Sequence, residues 1–91
     1  EITHCRAFVY EVASRIDDGE EDELNALASM SKLKSTEIAK HTALEAVQLM
    51  GGYGYASAWG MEQQLRNAIA PTIYGGTNEI QREIVARSLG L

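Results

Sequence analysis

The chain has 91 residues, 45% of them apolar, a formal charge of -5 and a single cysteine, Cys5, which together allow one domain with a thin core and exclude an internal disulfide. No apolar run approaches the about 18 residues a membrane span needs, and no signal-peptide pattern is present. No basic stripe exists to neutralise phosphates, which excludes sequence-independent nucleic-acid binding, and one cysteine fits a reducing, cytoplasmic setting.

Ile2, Cys5, Val9, Val12 and Ile16 recur every three or four residues, with Phe8 beside them, and predict a first helix over Ile2 to Asp17. The stretch DDGEEDE, Asp17 to Glu23, then holds six of the thirteen acidic residues, leaving eight basic against seven acidic elsewhere. Carboxylates suit the start of a helix better than its end, so the pattern predicts a turn near Gly19 and a new helix by about Glu23. That second helix is long, to Met50, with no internal proline or glycine. Its leucines and alanines lie on more than one side, which suggests more than one packing neighbour. Gly51 and Gly52 end it.

GGYGYASAWG, Gly51 to Gly60, is too rich in glycine to predict a helix; its rings either cover helix ends or form a ligand wall. A third, short helix is expected over Met61 to Ile69, closed by Pro71. Thr77 is suited to cap a fourth helix that buries Ile80, Ile84, Val85 and Ala86 and stops at Gly90, with Ile73 or Tyr74 as a staple on its first turn. The expectation is an all-α helical bundle of about four helices, forming one domain over residues 1–91.

Most local combinations lack the geometry of a site. Glu37, His41 and Glu45 share one helix face, but three ligands on one helix do not enclose a metal, and the spacing suits neighbouring surface charges; no metal site is expected. Asp17, Asp18 and Gly19 lack the rest of a calcium loop, and His4 and Cys5 diverge by about 100° on a helix. PTIYGGTNEI, Pro71 to Ile80, is different. Gly75 and Gly76 clear side chains from the start of the fourth helix, where backbone N–H groups lack partners and negative charge is favoured. Thr77, Asn78, Glu79 and Gln81 add polar reach. The corner is either an anion or cofactor seat or only a turn.

AVQLMGGYGY, Ala46 to Tyr55, followed by MEQQLRNAIAPTIYGGTNEIQREIVARSLG, Met61 to Gly90, resembles the carboxyl-terminal domain of the acyl-CoA dehydrogenase family. The likeness implies an FAD enzyme that oxidises an acyl-CoA thioester to its trans-2-enoyl form, with an electron-accepting flavoprotein as partner and a homo-oligomeric assembly. It implies that Gln48, Leu49, Met50, Gly51 and Gly52 reach the adenine end of FAD, usually on a neighbouring subunit. It further implies that Thr77, Asn78 and Glu79 meet FAD, and that Tyr74 and Gly76 line the thioester region.

Gly75 departs from the pattern. Many members of the family carry the catalytic glutamate at this position, and glycine accepts no proton. Either a carboxylate on an earlier helix, before Glu1, serves as base, or the protein is a non-catalytic interaction module or partner subunit that keeps the scaffold. In both cases the 91-residue chain alone is expected to be inactive and to lack the first helix of the family's bundle. The exposed apolar face left behind predicts self-association and an open placement of the first helix.

Overall fold

The computed structural model describes residues 1–19 and 24–91. Its elements are α1 (Ile2–Asp17), α2 (Leu24–Met50), a one-turn α3 (Gly52–Tyr55), α4 (Met61–Ile69) and α5 (Asn78–Ser88). Short 3-10 turns occupy Ser57–Trp59 and Ala70–Thr72. The described residues contain no strand. The turn at Asp18 and Gly19 is present, whereas the start of the second helix near Glu23 and most of the acidic run fall outside the described residues.

α2 is the axis of the molecule. Its 27 residues span roughly 40 Å at about 1.5 Å each, most of the 47 Å long dimension. Helices α1, α3, α4 and α5 all pack against it. That arrangement explains why its apolar residues are spread around the helix rather than confined to one stripe. Ala26, Ser29 and Ala43 are its buried residues, and their small side chains allow the neighbours close approach.

The core is thin. Val12, Ala26 and Ala43 are the buried apolar side chains among the described residues, beside the buried polar Ser29, Asn78 and Gln81. On α1 only Val12 is buried, while Cys5, Phe8 and Val9 are half-buried and Ile2 and Ile16 exposed, so the apolar stripe of this helix is only partly covered.

Two local expectations need correction. The segment 51–60 is not free of helix: Gly51 breaks α2, and Gly52–Tyr55 then form a helical turn laid back on the end of α2. Gly54 makes this approach feasible, since a Cβ there would sit 2.5 Å from the Val47 carbonyl oxygen. The rings of Tyr53, Tyr55 and Trp59 are exposed rather than covering helix ends, although Tyr53 and Trp59 pack edge to face with centroids 5.4 Å apart. The expected staple is largely open to solvent. Ile73 and Tyr74 are 61% and 63% exposed, leaving little of either to pack on the first turn of α5.

The chain rises from α4 through Pro71 into a 3-10 turn, as a proline at the first turn permits. It then bends at Gly75 and Gly76 into α5, which starts against the middle of α2. No helix among the described residues is long and apolar enough to cross a membrane.

Candidate functional site

The corner between α4 and α5 is held at both ends. On the α4 side, the N–H groups of Ile73 and Tyr74 donate to the Ala70 carbonyl at 2.9 and 3.1 Å, and the Thr72 hydroxyl donates to the Ile69 carbonyl at 2.7 Å. On the α5 side, Thr77 adopts an extended conformation and its hydroxyl oxygen accepts from the Ile80 N–H at 3.3 Å, the cap that the sequence predicts. Gly75 and Gly76 between them have φ of 67° and 86°, a region L side chains rarely occupy. A Cβ on Gly76 would also press to 2.8 Å from the Gln81 amide nitrogen, whereas one on Gly75 meets open space.

A polar network fastens the corner to α2. The Lys32 ammonium donates to the Gly76 carbonyl at 2.8 Å and to Asn78 Oδ1 at 2.9 Å. The Asn78 amide donates to the Thr36 hydroxyl oxygen at 3.1 Å, and that hydroxyl donates to the Lys32 carbonyl at 2.8 Å. Gln81 donates to the Gly75 carbonyl at 2.9 Å. An Arg82–Glu37 ion pair ties the next turn of α5 to α2. Both polar atoms of the buried Asn78 amide and the Gln81 amide nitrogen therefore bond within the protein, consistent with the rule that buried polar groups find partners.

The carbonyls of Gly75 and Gly76 are thus turned inward. No cis peptide occurs among the described residues, and in a trans peptide the N–H points opposite to the C=O. The Gly76 and Thr77 N–H groups consequently point away from Gln81 and Lys32. None of the N–H groups from Gly75 to Glu79 donates to an acceptor among the described residues. Chemically, the corner offers consecutive backbone donors at a positive helix end, with open space beside Gly75. It offers no proton acceptor at Gly75, and Glu83, eight positions on and past the first turn of α5, is paired with Arg87.

The expected site residues fall into two places. Tyr74, Gly76, Thr77, Asn78 and Glu79 gather at the corner; Tyr74, Gly76 and Glu79 are exposed there. Asn78 is spent on Lys32 and Thr36, so its available group is the backbone N–H rather than the side chain. Gln48, Leu49 and Met50 are the exposed last residues of α2, and Gly51 and Gly52 the exposed link from it into α3. Thr36, beside the corner, and Gln48 are twelve positions apart on α2, so at a rise of about 1.5 Å per residue the two places lie roughly 18 Å apart along the helix.

A large hollow lies at neither place. It is a groove of about 680 Å³ between α1, α2 and α4, lined by Cys5, Val9, Ile38, Ala43, Met61 and neighbours, with no carboxylate among its walls. Sequence reasoning missed Lys32 and Thr36 altogether. Their one signal is the i,i+4 spacing of two polar residues on a helix otherwise rich in leucine and alanine. Glu37, expected to be one of three neighbouring surface charges on α2 with His41 and Glu45, pairs across to Arg82 of α5. No group of residues able to hold a metal ion occurs among the described residues.

Residues 1–90 match the family model for the acyl-CoA dehydrogenase C-terminal domain. The chain belongs to the acyl-CoA dehydrogenase family. A probable acyl-CoA dehydrogenase of Mycobacterium leprae is 41% identical over 85 residues, 93% of this chain and 22% of the relative. Among solved structures, the acyl-CoA dehydrogenase of Geobacillus kaustophilus superposes with a TM-score of 0.93 at 39% identity, covering 99% of this chain and 23% of that one. The FAD complex of PigA gives a TM-score of 0.89 at 38% identity, covering 98% and 23%. This acyl-CoA dehydrogenase domain therefore spans between a fifth and a quarter of the length of the relatives it matches, and its all-α bundle is the fold those structures share.

Proposed function

We propose that the whole protein is an FAD-dependent dehydrogenase of acyl-CoA thioesters and that this domain contributes two separate cofactor contacts to it. The observation that carries the reading is the glycine corner: inward carbonyls, outward N–H groups and an open position at Gly75, in a chain of this family. Those donors fit the phosphate or carbonyl oxygens of a flavin nucleotide, and a relative of closely similar fold has been solved in complex with FAD. FAD supplies the acceptor for the hydride that leaves the β carbon while a base takes the α proton, giving the trans-2-enoyl thioester and reduced flavin.

In this reading, Thr77, Asn78 and Glu79 meet the flavin nucleotide through the start of α5, and Tyr74 and Gly76 line the thioester region. Gln48 to Gly52 serve the adenine end. The separation of roughly 18 Å between the two places supports their serving different parts of an extended ligand, or ligands on different copies in a homo-oligomer. The proton acceptor is a carboxylate on another element of the whole protein, because Gly75 has no side chain and the corner needs a base within hydrogen-bond reach of the substrate carbon. A flavoprotein takes the electrons onward.

The test is made on the full-length protein. Anaerobic addition of a panel of acyl-CoA thioesters should bleach its bound, oxidised flavin, and the 91-residue chain alone should neither retain FAD nor oxidise substrate. A full-length protein that binds FAD but is bleached by no thioester would instead favour a non-catalytic partner subunit, the reading that the bare Gly75 position favours.

A further inference from the structure

Lys32 sits about a third of the way along α2, 44 positions before the carbonyl it holds, and is half-buried. It forms no salt bridge among the described residues; its two partners are neutral, the Gly76 carbonyl and the Asn78 amide oxygen. A half-buried ammonium with only neutral acceptors gives up hydration without gaining an ion pair, and a neutral side chain could fill the same place at less cost. The position of the charge has a further consequence. The Gly76 carbonyl and the Thr77 N–H belong to one planar trans peptide, so a cation on the oxygen aims the N–H the opposite way and polarises it as a donor. Gln81 does the same for the preceding peptide, aiming the Gly76 N–H, but as a neutral donor.

We infer that Lys32 is a positioning residue: through the Gly76–Thr77 peptide it orients and strengthens the Thr77 N–H as a donor to an oxygen of the flavin nucleotide. The inference rests on the proposed flavin site and adds to it a residue, remote in sequence, that never touches the cofactor. Asn78 completes the device by holding Lys32 between two acceptors and by anchoring itself on Thr36, which fixes the ammonium under the first turn of α5. Lys34, two positions away and exposed on α2, makes none of these contacts.

The experiment compares full-length wild-type protein with Lys32→Met, Lys32→Arg and Lys34→Met, measuring the FAD dissociation constant, the visible flavin spectrum and the melting temperature of the apoprotein. Lys32→Met should weaken FAD binding about tenfold, the size expected when one charge-assisted contact is lost, and should shift the flavin absorption band. Lys32→Arg, which restores a cationic donor, should return binding to within about threefold of wild type, and Lys34→Met should leave it unchanged. Wild-type affinity in Lys32→Met overturns the inference. So does an equal loss in the Met and Arg variants that follows their melting temperatures, since that pattern is purely structural. If Lys32→Met does not fold, Lys32→Gln keeps a donor without charge: weaker FAD binding upholds the inference and undiminished binding overturns it. Failure of the wild-type protein to bind FAD at all would fault the functional reading, whereas failure of the inference appears only in the variants.

Discussion

Gly54, Gly75 and Gly76 have different reasons to be glycine, and the reasons predict different costs. At Gly54 an added Cβ would stand 2.5 Å from the Val47 carbonyl and 2.9 Å from Met50 Cβ, contacts that backbone movement alone can relieve. Gly54→Ala is therefore expected to lose about 1–3 kcal/mol of stability, as overpacking does, read as a lower midpoint in chemical denaturation. Gly75 has room for a Cβ but a φ of 67°, so Gly75→Ala should cost only the left-handed penalty of about 1–2 kcal/mol. Gly76→Ala meets both problems, since its Cβ would reach 2.8 Å from the Gln81 amide and displace the donor to the Gly75 carbonyl. In the full-length protein Gly76→Ala should thus be the more damaging of the corner pair, in denaturation midpoint and in FAD affinity alike. Equal effects of the two would show that backbone strain alone, and not the Gln81 bond, governs this position.

The elements meet at the start of α5, where a cap and an ion pair make unequal contributions. The Thr77 hydroxyl is the only side-chain acceptor for the first-turn N–H groups among the described residues, and Thr77→Ala should cost about 1 kcal/mol. The Arg82 and Glu37 side chains are 54% and 41% exposed, so water and salt screen their attraction; Arg82→Ala should cost at most about 1 kcal/mol, and less at high salt. Denaturation at low and high ionic strength separates the two, because the cap's contribution should hardly move with salt. The helix limits were legible in the sequence because their signals are local: the spacing of Ile2 to Ile16, Pro71, and a threonine before Asn78. The links between elements were not. Lys32 and Asn78 are 46 positions apart, and neither periodicity nor capping preference identifies such a pair. Asn78 and Gln81 read as polar reach toward a ligand, and only packing on α2 reveals them as inward anchors. The helical turn at Gly52–Tyr55 was hidden for a related reason: glycine-rich sequence disfavours helix intrinsically, and here close approach to Val47 overrides propensity.

At the scale of the whole molecule, what is exposed matters more than what is buried. No large side chain among the described residues is fully buried, whereas Leu49 is 87% exposed and Met50, Tyr53, Tyr55 and Trp59, which follow it in the chain, are exposed as well. The groove between α1, α2 and α4 adds a second apolar face, walled by Cys5, Val9, Ile38 and Met61. A chain with so little core gains stability from any surface that covers these faces, and apolar patches of this kind mark association sites. On the proposed reading, the rest of the whole protein and further copies of it would supply that surface; the domain spans under a quarter of its relatives. Taken alone, the 91-residue chain has only itself, and it is expected to self-associate at tens of micromolar, with a light-scattering mass above that of one chain and a melting temperature that rises with concentration. Placing a charge in each face separately, with Leu49→Lys and Val9→Lys, locates the contact. The face that matters is the one whose substitution returns the mass toward a single chain without abolishing helicity. A single-chain mass for the unsubstituted protein would instead mean that the buried Val12, Ala26 and Ala43, with the polar network on α2, hold the bundle without help.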